Sequence, residues 1–157
     1  VEGILQIFWI LVYKEAQITI FVIWASFCLK KGGVMLKNMT QILLQEFARS
    51  QNLARARLME IFSNLHVSSE GEVFDFSHME IGQCYPISIE DHFSVSNQTF
   101  LIKVEIVVQI SVEGDIIFYW KEKHFFLSYR EDINKSVEDL FTFIEKSCPI
   151  QKFLIVE

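Results

Sequence analysis

The chain has 157 residues, enough for one compact domain and too few for two ordinary ones. Apolar residues make up 51% of it, with 15 Phe, 4 Tyr and 3 Trp against six Gly and three Cys, which excludes a disordered chain, a collagen-like chain and a disulfide scaffold. The net charge of -6 is split unevenly: residues 1–65 hold seven basic and four acidic side chains, residues 66–157 seven and sixteen, so the C-terminal part repels phosphate at long range.

Residues 4–13 and 16–29 are almost wholly apolar, interrupted by Lys14 and Glu15. A membrane-spanning helix needs about 20 apolar residues; the longest uninterrupted run here is 14, closed by Lys30 and Lys31, which would leave the rest of the chain on the cytoplasmic side. No basic stretch precedes the run, so a cleavable signal peptide fits poorly. Ile18, Ile20 and Val22 are β-formers, so a pair of buried strands is an alternative. The chain starts with Val, and Met35 and Met39 stand just ahead of the first patterned element, as in a fragment or a reading frame extended upstream. Residues 1–33 are therefore read in three ways: a membrane anchor through residues 4–29, packed structure, or a non-native extension.

Residues 40–65, within a unit spanning 34–66, predict one amphipathic helix. Leu43, Phe47, Ala54, Leu58, Ile61 and Leu65 fall on one stripe, Gln45, Asn52 and Ser63 lie opposite, and Thr40 is the expected N-cap. Arg49, Arg55 and Arg57 point in three directions and make no basic stripe. Ser68-Ser69-Glu70-Gly71 then reads as a turn or linker into a domain at 67–157. The piece from Ser68 onward, about 90 residues, is expected to fold by itself.

Strands are predicted at 72–76, 84–90, 99–112, 115–128 and 151–156. The clearest has Phe100, Ile102, Val104, Ile106, Val108, Ile110 and Val112 at every second position. Glu113-Gly114 is read as a two-residue hairpin loop, with Val112 opposite Asp115. That register places Phe118 and Trp120 on the outward face with Lys103, Glu105, Glu122 and His124. A short helix is expected from Ser136, with a capping box to Asp139, through Val137, Leu140, Phe141 and Ile144 to about Ser147.

Cys28, Cys84 and Cys148 are odd in number and far apart, which fits a reducing intracellular compartment, cytoplasmic or nuclear. Asn38, Asn97 and Asn134 begin Asn-x-Ser/Thr sequons, and turns or helix starts account for them locally. There is no phosphate-binding glycine loop and no metal-ligand spacing, and Asp91, His92 and Ser94 do not form a nucleophilic set because neighbours in a strand face opposite ways.

Met79-Glu80-Ile81-Gly82-Gln83-Cys84-Tyr85-Pro86-Ile87, Lys103-Val104-Glu105-Ile106, and Phe118-Tyr119-Trp120-Lys121-Glu122-Lys123-His124-Phe125 with Glu131-Asp132-Ile133 resemble short β-barrel proteins of invertebrate genomes and mobile elements that look like oligonucleotide-binding (OB) folds. The resemblance covers about half the chain and implies a barrel; in such a barrel the ligand face lies on the second and third strands. The expectation is thus an α+β chain: a small five-stranded OB-like β-barrel with one helix before its last strand, preceded by a long amphipathic helix and an apolar segment. Functionally the sequence reads as a non-enzymatic interaction module without cofactor or metal, binding single-stranded nucleic acid weakly or a protein segment. Its expected binding face is Trp120, Phe118, Lys103, Lys123 and His124, where aromatic stacking substitutes for a basic groove. The alternative is a membrane-anchored protein with a cytosolic β-rich domain.

Overall fold

The computed structural model describes residues 34–156. The apolar segment 4–29 lies outside them; among the described residues no helix is long and apolar enough to cross a membrane.

Helix α1 (Val34–Ile61) is free of Gly and Pro and rich in Leu, Ala, Arg, Gln and Met, all strong helix formers. It starts well before Thr40, which therefore sits inside the helix rather than at its cap. Its stripe is buried from Ser50 onward through Ala54, Leu58 and Ile61, whereas Leu43 and Phe47 are half-buried and Ile42 is exposed.

The expected linker is a hairpin. β1 (His66–Ser69) turns through Glu70-Gly71 into β2 (Glu72–Val73), with both turn residues at positive φ, as a type I′ turn requires. β1 also pairs with β3 (Tyr85–Val95), so the segment after the helix belongs to the sheet. β3 and β4 (Gln98–Ile110) form the long central hairpin around Ser96-Asn97, again both at positive φ. The predicted strand 115–128 is two strands, β5 (Ile116–Trp120) and β6 (Lys123–Leu127), folded at Lys121-Glu122 with Lys121 at φ 53°.

Helix α2 (Ile133–Ser147) begins three residues ahead of the expected Ser136, because Asp132 caps it by accepting from the Lys135 amide. Ser136 is instead buried. β7 (Ile150–Ile155) follows Cys148-Pro149 and pairs with β4.

The result is α+β, with seven antiparallel strands among the described residues in the order β2-β1-β3-β4-β5-β6, and β7 on β4. It is an open seven-stranded sheet and not the expected five-stranded barrel: β6 pairs only with β5, β7 only with β4, and among the described residues nothing joins them. One edge of β4 serves two partners, β5 along residues 107–110 and β7 along 99–104, so the sheet forks there.

Both helices pack on one face. Ala54, Leu58, Ile61 and Phe62 from α1 and its exit, Ile87 and Ile89 from β3, Val104 to Ile110 at alternate positions of β4, Ile116 and Phe118 from β5, and Leu140 and Ile144 from α2 form one core. Arg55 and Arg57 serve this packing. The Arg55 Nε donates to the Met79 carbonyl at 2.9 Å and an Arg57 guanidinium nitrogen to the Glu131 carbonyl at 2.7 Å, tying the helix to segments in front of β3 and α2.

Candidate interaction surface

The loop joining β4 to β5 decides which side chains face outward. The Gly114 amide donates to the Ser111 carbonyl at 3.0 Å, the Ser111 amide to the Asp115 carbonyl at 2.8 Å, and Gly114 has φ 88°. Ser111 and Asp115 thus close a loop of three residues, Val112, Glu113 and Gly114, with Gly in the left-handed position that such loops use. One extra loop residue shifts the register by one and exchanges the two faces of everything beyond it. Val108 pairs with Phe118 and Gln109 with Ile117, rather than Val108 with Tyr119.

The expected outward aromatic face is corrected accordingly. Phe118 is fully buried, its ring 6.2 Å from that of Phe62 in an edge contact. Trp120 and Lys123, directly paired across the β5–β6 turn, share this inner face. Lys103 and His124 are on the outer face, but His124 stands in the row of Val107 and Tyr119, four residues along from Lys103, or about 13 Å at a strand rise of about 3.3 Å. The five expected residues therefore do not converge. Lys103 pairs loosely with Glu105 at 3.9 Å.

Trp120 nevertheless keeps part of its ring accessible at the hairpin tip. The ammonium that sits over it is that of Lys121, 5.5 Å from the ring centroid, a residue the sequence reading passed over because it was assigned to a strand interior. Lys123 lies near Cys148, whose thiol is pushed up by burial and pulled back in part by that ammonium.

On the outer face a polar anchor holds the 79–84 segment to the sheet. Tyr119 Oη donates to Gln109 Oε1 at 2.7 Å, Gln109 Nε2 to the Gly82 carbonyl at 2.8 Å, and the Gly82 amide to the Ile110 carbonyl at 2.8 Å. A buried amide needs such partners, and Gln109 is satisfied on both ends. Close by in sequence, Asp75 Oδ2 lies 2.6 Å from His78 Nδ1, while the Ser77 amide and hydroxyl both donate to Asp75 Oδ1. Those two bonds from Ser77, followed by the His78 contact, hold the Asp75 carboxyl below its ordinary range. Because the Ser77 hydroxyl is directed at the carboxylate, with His78 Nδ1 at 3.5 Å, this set caps the short 3-10 turn Phe76–His78 and does not activate a nucleophile.

The largest departure from ordinary surface is β7. All six of its residues are exposed, four of them apolar, Ile150, Phe153, Leu154 and Ile155, with Gln151 and the single charge of Lys152 between them. Phe153 and Leu154 are 48% and 50% exposed, on opposite faces of the strand. Among the described residues no strand pairs with its second edge. An exposed apolar edge strand presents unpaired amides and carbonyls beside side chains that water solvates poorly, which is a template for another strand. Sequence reasoning located this strand but treated it as a closing one; its open edge follows from the fork in β4, which no local pattern announces. No protein-family model, curated protein or solved structure matches the chain.

Proposed function

We propose that the chain is a non-enzymatic interaction module that takes an extended protein segment onto its sheet by strand addition at β7. The observation that carries this is the exposed, mainly apolar β7, whose apolar residues are 37–50% exposed and which, among the described residues, is paired on one edge alone. Main-chain hydrogen bonds along the free edge supply affinity in this mode, and alternate side chains on the two faces supply selectivity. Amide hydrogen exchange of the full chain, with and without an excess of a short apolar β-forming peptide, tests it. Protection rising at residues 150–155 supports strand addition, and unchanged exchange there rejects it.

A second reading, weak binding of single-stranded nucleic acid, is favoured by the partly open Trp120 ring with Lys121 over it and Lys123 across the turn. With Phe118 buried, one aromatic remains for stacking, and Glu122 in the same turn opposes phosphate. A short single-stranded oligonucleotide in the same exchange experiment protects residues 119–124 on this reading and leaves β7 unchanged.

A further inference from the structure

We infer that the segment added at β7 is an acidic-apolar strand, with a carboxylate placed opposite Lys152 and apolar residues on either side; this rests on the strand-addition reading above. Lys152 is the one charged residue of β7, and it is exposed. Its cross-strand row runs Asp91, Ile102, Lys152 on the inner face. Asp91 is two strands away, about 9.5 Å at the usual strand spacing of about 4.8 Å, too far for an ion pair. Among the described residues the ammonium has neither an ion pair nor a hydrogen bond. Its neighbours on the same face, Ile150 and Leu154, are apolar and exposed, and the other face carries the exposed Gln151, Phe153 and Ile155, apolar but for Gln151. A strand laid along this edge therefore meets, on the face of Ile150 and Leu154, a cation flanked on both sides by apolar residues. Opposite charges directly across a ladder attract and like charges repel, so a carboxylate there is the complementary choice.

A second copy of β7 is a poorer occupant. Residues directly opposed in an antiparallel ladder share a face, so a symmetric pair has to be centred on one residue. Centred on Lys152, it sets two ammonium groups against each other. Centred on Phe153, it stacks the two Phe153 rings but faces each Lys152 with a Leu154 and supplies no counter-charge. A lysine in an exposed edge strand is also a common device against self-pairing. Lys152 then has two effects: it discourages a second copy and selects an acidic partner. Asp91, the nearest carboxylate in the row, would stand three strands from the added one, beyond about one Debye length at physiological salt, and opposes this little.

The test uses the full chain and two fluorescein-labelled heptapeptides, Thr-Val-Ile-Glu-Ile-Val-Thr and its counterpart with Lys in place of Glu. Each reads the same in both directions, so strand polarity does not alter which residue meets Lys152. Fluorescence anisotropy at low salt is expected to give about fivefold tighter binding of the Glu peptide, a gap that narrows with added salt. Lys152→Glu should reverse the order. If both peptides protect the β7 amides and bind equally, or Lys152→Glu leaves the order unchanged, strand addition stands and the charge selection is wrong. If neither peptide protects β7, strand addition itself fails. Should sedimentation show a concentration-dependent dimer whose β7 amides are protected without peptide, a second copy is the occupant and the inference is overturned.

Discussion

Gly114 is held by two separate constraints. Its φ of 88° lies in the left-handed region that side chains with a Cβ rarely adopt, and a Cβ built there would come within 2.7 Å of the Ser50 backbone in α1. The contact is part of the seam where the helix meets the β4–β5 loop, closed also by Gln51 Nε2 donating to the Val112 carbonyl at 2.7 Å. Neither the loop nor the helix backbone yields easily, so Gly114→Ala combines a left-handed penalty of about 1–2 kcal/mol with overpacking of about 1–3 kcal/mol. A loss of about 2–5 kcal/mol is expected, read from the urea midpoint of the full chain. A loss below about 1 kcal/mol would mean that the helix and loop separate freely. The same glycine explains the fate of Phe118. Gly in a three-residue loop and Gly in a two-residue loop look alike in sequence, yet they set opposite faces for every residue that follows. Whether Val112 ends the strand or begins the loop is decided by how α1 seats on the loop, a contact between residues more than sixty positions apart.

The elements that were legible are those whose periodicity is strong. The stripe of α1, the alternation of β4, the apolar run of β7 and the helix before it all follow from spacing alone. What spacing hid were turns made by residues that do not advertise them. Lys121-Glu122 folds β5 onto β6 without Gly, Asn or Asp, whereas the Ser96-Asn97 turn carries a usual turn residue and hid only how far β3 runs, to Val95 rather than 90. The candidate site was legible only in part for the same reason. Trp120 and Lys123 do belong together across a turn, but Lys121, the ion over the ring, was invisible while that turn was read as strand. The Ser96-Asn97 turn offers a direct check. Both residues have positive φ, 51° and 64°, which suits Asn followed by Gly better than Ser followed by Asn. Replacing Ser96→Asn together with Asn97→Gly is expected to stabilise the chain by about 1 kcal/mol, seen as a higher urea midpoint at unchanged slope. A lower midpoint would show that the turn is not of the I′ kind.

At the scale of the whole molecule, the sheet and α1 share one core, and this bears on whether the β-rich part stands alone. Sequence length makes residues 68–157 a plausible independent domain, but the core tells against it. A fragment starting at Ser68 lacks Leu58, Ile61 and Phe62, three large side chains that are each at most 7% exposed, and it lacks Val67 from β1 as well. Burying a side chain of that size contributes about 1.5–3 kcal/mol, so the three together account for about 4.5–9 kcal/mol, against a total stability of about 5–15 kcal/mol for a typical domain. The loss is not confined to the rim. Phe62 lies edge-on to Phe118 at 6.2 Å and stacks on Phe76 at 5.3 Å, so removing it opens the middle of the inner face. The β2–β1–β3 edge is weakened at the same time, because β1 loses His66 and Val67, two of its three pairing positions with β3. The 68–157 fragment is therefore expected to expose apolar surface, bind a hydrophobic dye and lack near-ultraviolet circular dichroism, while a fragment of residues 34–157 retains a cooperative urea transition. Cooperative unfolding of the shorter fragment would mean that the sheet and α2 suffice as a core and that α1 only covers it.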